Sequence, residues 1–151
     1  MYRSFAFLCA VAVACCLAAC AGPRPKYVVQ PDNSRVLDGA WRLVAFKAGG
    51  EGKLQDVSKD QTHMKYVTGG RFVWTNVKDG KIASGASGSC WVHGDRYTEC
   101  VQEVVLPGDA WLRGKPVTFS WKLKDGKWHH KGVIEDRSRK EKIYQVWERV
   151  K

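Results

Sequence analysis

The stretch PVTFSWKLK, residues 116–124, alternates without a fault. Val117, Phe119, Trp121 and Leu123 are apolar, and Thr118, Ser120, Lys122 and Lys124 are polar. A side-chain period of two belongs to an extended strand with one dry face and one wet face, whereas an amphipathic helix repeats every 3.6 residues. Two more segments show it. RFVWTNV, residues 71–77, puts Phe72 and Trp74 on one face and Val73, Thr75 and Val77 on the other. IYQVWERV, residues 143–150, sets Ile143, Gln145, Trp147 and Arg149 against Tyr144, Val146, Glu148 and Val150. Turn signals separate such runs: KDGK at 78–81, HGDR at 93–96 and KDGK again at 124–127. Asp-Gly between alternating segments is a strong hairpin signature.

The pattern predicts strands near 39–48, 63–69, 71–77, 81–87, 88–93, 96–106, 116–124, 127–135 and 142–150, with at most a helical turn in 53–60. Gly85 and Gly88 permit a bulge, so 81–93 also reads as one bent strand. Eight or nine successive antiparallel strands joined by short hairpins need closure to remove their edges. The expected fold is all-β, an antiparallel up-and-down β-barrel of about eight to nine strands, and a two-sheet sandwich is the alternative.

The chain opens differently. Arg3 precedes a nearly pure apolar run from Phe5 to Ala19, which is short of the roughly 20 residues a membrane-spanning helix needs. It fits the apolar region of a secretory signal. Leu17-Ala18-Ala19-Cys20 resembles the lipobox of bacterial lipoproteins, in which the cysteine becomes the lipidated first residue. The resemblance implies a signal peptide over 1–19, a lipid anchor on Cys20 and attachment to the membrane. Ala21 rather than Asp after the cysteine implies sorting to the outer membrane, periplasmic face, in a Gram-negative cell. Residues 21–35 hold three of the five prolines and no periodicity, so 20–35 reads as a tether and 36–151 as the single folded domain.

Lys and Arg number 25 against 15 Asp and Glu, a formal net charge of +10, and the leader carries only one of those cations. Such a surface favours anionic neighbours: lipid headgroups, acidic polymers or an acidic protein. Nucleic acid is a poor partner for a chain tethered outside the cytoplasm. Four of the six cysteines (Cys9, Cys15, Cys16 and Cys20) lie in the leader or at the lipobox. The remaining two, Cys90 and Cys100, flank one turn and are expected to form a disulfide in an oxidising compartment. Parity decides the geometry. A two-residue turn at Gly94-Asp95 sets Cys90 opposite Glu99 and sends Cys100 to the other face, whereas a three-residue loop or one bulge sets the cysteines opposite each other.

Gly39-Ala40-Trp41 is similar to the G-x-W motif on the first strand of lipocalins and related calycin barrels. From HMKYVTGGRFVWTNVKDGKI through HGDRYTE to the closing VWERVK, the chain resembles a bacterial lipocalin-like family of exported proteins over residues 37–151. In lipocalins the motif's Trp packs beneath an Arg at the closed end of the barrel. The resemblance assigns Trp41 and Arg149 to those structural places, and a guanidinium over an indole gains about 0.5 to 2 kcal/mol.

Small barrels are either filled by their own side chains or open to one small ligand. Seven tryptophans exceed what core filling requires, and Phe72, Trp74, Phe119, Trp121 and Trp147 share apolar faces that could line a cavity or form a dry core. The last strand also resembles that of fatty-acid-binding barrels, where an R-x-Y triplet holds the ligand carboxylate. Here the Arg place falls on Gln145 and the Tyr place on Trp147. An amide cannot replace a guanidinium fork, so a neutral or weakly polar ligand is the better match. Trp111, in the longer LPGDAWLRGK connection, is placed to cap the barrel mouth or meet the membrane interface.

No nucleophile elbow, H-E-x-x-H or phosphate-cradling glycine loop occurs. His129 and His130 are adjacent on a strand and face opposite sides, against a shared metal. The expectation is therefore a monomeric, non-enzymatic lipoprotein, without cofactor or metal, that binds a small apolar or amphipathic molecule. The alternative is an envelope interaction module or inhibitor with a filled barrel, acting through its loops.

Overall fold

The computed structural model describes residues 34–136 and 139–151. The leader, Cys20 and nearly all of the tether lie outside the described residues. Nine strands follow in chain order: β1 (Gly39–Phe46), β2 (Gln55–Asp56), β3 (Gln61–Thr68), β4 (Arg71–Lys78), β5 (Lys81–His93), β6 (Arg96–Val104), β7 (Pro116–Lys124), β8 (Lys127–Glu135) and β9 (Lys140–Arg149). Each of β3 to β8 pairs antiparallel with its successor, and β1 pairs with both β3 and β9. Eight strands thus close into a barrel, and the two-residue β2 extends the far end of β1. Closure disposes of the sandwich alternative. The stretch 81–93 is one strand, out of step with β4 near Asn76 and Val77 and with β6 near Ser87 and Gly88.

Local chemistry explains the hairpins. Asp79-Gly80 and Asp125-Gly126 have positive φ at both positions (49° and 72°, 53° and 72°), as the turns that match strand twist require. Successive connections alternate between the two ends of the barrel. The turns at 69–70, 94–95 and 125–126 share the end that holds Trp41. The segment after β1, the 79–80 turn, the 105–115 connection and the β8–β9 loop share the other.

A 3-10 helix, Ser34–Leu37, plugs the first end. Leu37 is fully buried, and its carbonyl accepts a hydrogen bond from Trp41 Nε1 at 2.8 Å. The Arg149 guanidinium lies 4.2 Å from the Trp41 ring centroid and donates to the carbonyls of Asp38 and Val36. Gly39 sits at φ +139°, and a Cβ there would run into that guanidinium. The glycine of G-x-W therefore makes room for the arginine as well as supplying the backbone geometry.

The expected disulfide is absent. The β5–β6 turn is the two-residue version, with His93 opposite Arg96 and Cys90 opposite Glu99. Cys100 pairs with Ser89 and points to the other face, so both thiols are free. The register does shift in this pair, but beyond Cys100, between Val101 and Glu103. That is too late to change the parity at the cysteines.

Candidate functional site

Three strands bring ionisable groups into the barrel. On β3 the inward parity runs His63, Lys65, Val67, and Val67 is 1% exposed, so Lys65 points into the core with it. On β6 the same parity turns Glu99 inward between Tyr97 and Val101. Lys65 Nζ meets Glu99 Oε1 at 2.5 Å, with both side chains less than a tenth exposed. The ammonium also lies 5.1 to 5.6 Å from the ring centroids of Trp147, Trp128 and Tyr97. An ion pair in such a place contributes little net stability, because desolvation offsets most of its attraction. It fixes which side chains share the interior.

His130, from β8, completes the cluster. Its ring stacks on Phe119 at 4.5 Å and 23°, a fit that depends on Gly132, where a Cβ would come within 2.7 Å of the Phe119 ring. Burial, and next the Lys65 charge, hold the imidazole well below its ordinary pKa, while hydrogen bonding with Gln145 opposes the shift. Burial likewise raises Tyr97 well above its ordinary value, with Glu99 adding to the effect. It pushes the Cys90 thiol up to about 12. Four buried polar atoms of this cluster (Tyr97 Oη, Trp128 Nε1, His130 Nδ1 and Trp147 Nε1) have no hydrogen-bond partner among the described residues.

Nearer the other end the barrel opens into a cavity of about 250 Å³. Leu43, Phe46, Val57 and Ile143 give it apolar walls, and Gln61, His63 and Gln145 give it polar ones. Gln61 Nε2 donates to Asn76 Oδ1 at 3.1 Å and lies 3.2 Å from His63 Nε2, so one corner is a preformed amide–imidazole network. Burial, opposed by hydrogen bonding with Asn76, lowers the His63 pKa. Gln145 is the cross-strand neighbour of His130 and joins the cavity to the buried cluster below. Among the described residues no group of three or more His, Cys, Asp and Glu is placed to hold a metal, and no helix is long and apolar enough to cross a membrane.

A solved structure described as a lipocalin-like protein from Bacteroides uniformis superimposes with a TM-score of 0.50 at 16% identity, covering 76% of this chain and 98% of that one. The fold is lipocalin-like. An uncharacterised protein from Bacteroides eggerthii gives a TM-score of 0.45, also at 16% identity, over 72% of this chain and 98% of its own. The chain matches no protein-family model and no curated protein.

The lipocalin-like barrel distributes the expected ligand residues differently from the sequence reading. Phe72, Phe119 and Trp147 are packed in the core, and Trp74 leans against it. Trp121 packs against the core in part, and its indole donates to the Gly94 carbonyl at 3.1 Å. Of the six, Gln145 alone lines the open-end cavity. The aromatic surplus fills the barrel because Trp128 and Tyr97 occupy the same layer and mesh with it edge to face. Trp111 lies on a 3-10 helix, Pro107–Leu112, in the β6–β7 connection, with the Arg139 guanidinium 5.4 Å from its ring. The sequence gives Lys65, Glu99 and His63 no evident place in the interior. Their signal is parity: each falls on the same face as a neighbouring apolar residue that must be buried.

Proposed function

We propose that this chain is a lipid-anchored envelope protein whose lipocalin-like barrel binds one small amphipathic molecule at its open end. The cavity of about 250 Å³ carries the reading. Its size, near the lower end for small-molecule pockets, suits a compact ligand or the end of a longer one. Apolar walls meet a corner of amide and imidazole groups and no arginine lines it, while the lysines at its edge are engaged, Lys47 over the Tyr144 ring and Lys142 with Glu51. That chemistry suits an uncharged polar head with a short apolar body better than a carboxylate, which would call for a guanidinium fork. Anchoring through Cys20 to the outer membrane, periplasmic side, belongs to the same proposal. It rests on the lipobox-like Leu17–Cys20 that ends the apolar run. Binding without catalysis, by a monomer, completes it.

Fluorescence titration of the full chain with a monoacylglycerol and with the matching fatty acid tests the reading. The neutral lipid is expected to bind more tightly, and Ile143→Trp, which fills the mouth, should abolish binding while thermal unfolding stays cooperative. Equal binding by the filled variant would refute the cavity as the site. The packed lower half supports a second reading, an interaction module working through its loops. Capture of an envelope partner that the Ile143→Trp variant retains would favour it.

A further inference from the structure

On the outer wall, a cleft of about 470 Å³ runs across β6 to β9. Register explains its composition. Arg96 pairs with Ser120, Ser120 with Lys131 and Lys131 with Tyr144, so one straight row crosses four strands on one face. Two residues along, Lys122 opposes His129 and extends the same face. Strands lie about 4.8 Å apart, which sets Arg96 and Lys131 roughly 10 Å apart at the backbone, with Ser120 between them and its hydroxyl donating to the Lys131 carbonyl at 3.4 Å. Long cationic side chains converge easily over that span. Tyr144, whose hydroxyl lies 3.4 Å from His129 Nδ1, supplies flat ring surface at the flank.

The charge is one-sided. Asp95 is the one acidic residue that lines the cleft, and it sits 3.7 Å from Arg96 Nε. No carboxylate among the described residues pairs with Lys122 or Lys131. Burial, and then Lys122 and Lys124, lower the His129 pKa, with Asp125 opposing them. A fork donor and two ammonium groups on one face, with the Tyr144 ring beside them, are the donor set for a tetrahedral oxyanion carried on a ring.

We infer that this outer cleft is a second binding site, separate from the open-end cavity, for a phosphate ester on a sugar-sized ring. Arg96 and Lys131 hold the phosphate from either side, Lys122 lies beside them on the same face, and the Tyr144 ring flanks the sugar. The phosphate ester can come from a soluble sugar phosphate or from a lipid headgroup, and the two sources are separable.

Calorimetric titration of the full chain with glucose 6-phosphate, and with glucose, tests the site, and sedimentation with phosphatidylglycerol vesicles tests the lipid source. Arg96→Gln and Lys131→Gln are surface changes that leave the core intact, and Lys53→Gln on an exposed loop is the control. Saturable binding of the phosphate but not of glucose is expected, weakened roughly tenfold by either cleft variant and unchanged by the control. Vesicle binding that the cleft variants weaken, without a soluble response, upholds the phosphate site and places its source in the membrane. Saturation by neither probe overturns the inference, as does equal binding of glucose. So does a loss common to the cleft variants and the control.

Discussion

Lys65 and Glu99 occupy positions that apolar side chains of similar length could fill, and their replacement separates two roles. Removing one partner leaves an unpaired buried charge or polar group and is expected to cost about 3 to 5 kcal/mol. Lys65→Met alone should therefore lower the denaturation midpoint sharply. Lys65→Met combined with Glu99→Leu should recover most of the loss or exceed the parent, because desolvation of the pair disappears with it. Chemical denaturation of the three variants checks this. A double variant as weak as the single one would show that the pair is net stabilising. Trp41 is a different case. It is 1% exposed and holds the 3-10 helix through Leu37, so Trp41→Ala should cost about 3 to 5 kcal/mol. Arg149→Ala should cost less, and the two losses should not add, since the guanidinium lies over that ring. Zero coupling in a double-mutant cycle would remove the stacking as an energetic link.

The β5–β6 hairpin shows what an element's sequence discloses and what it withholds. Alternation located both strands and the turn, but the face on which Cys100 lands depends on whether two or three residues make the turn. HGDR is compatible with both, so parity had to come from the register. With the two-residue turn, thiol titration of the native protein should find Cys100 reactive and Cys90 silent. Cys90 is buried and its thiol is held at about 12, so almost no thiolate forms at neutral pH. Both should react after denaturation without reductant. A chain with no free thiol under those conditions would require the three-residue loop instead. The same principle governs the site. β7 and β9 were legible because their apolar faces are nearly pure. β3 was located near 63–69, but its inward face was not legible, because Lys65 and His63 interrupt it and mask the alternation. Gln145 was legible as a departure from an aromatic strand. The partners that make it part of a cavity (Phe46, Val57 and Gln61) come from segments brought together only when β9 closes on β1.

Across the whole molecule, burial of neutral titratable groups sets a pH range for the fold. His130 is held well below its ordinary pKa, and His63 and His129 are shifted the same way. In the unfolded chain each takes up a proton near pH 6.5, whereas in the folded barrel they stay neutral to lower pH. The unfolded state therefore binds more protons below that point, and stability falls as pH drops from about 6.5 towards the folded values. At the alkaline end the sign reverses. Cys90 is raised from 9.0 to about 12, and Tyr97 stands well above 10. The unfolded chain loses those protons first, so the stability they contribute is full below about pH 9 and declines as pH rises towards 12. A plateau between roughly pH 6.5 and 9, with losses on both flanks, is the expected profile in urea midpoints measured against pH. His130→Phe should flatten the acid flank, because a phenyl ring can keep the stack on Phe119 without a proton to gain. It should leave the alkaline flank in place. Cys90→Ala should do the converse, trimming the alkaline flank and leaving the acid one. An acid flank unchanged in His130→Phe would assign acid sensitivity to the surface carboxylates instead of the barrel's interior.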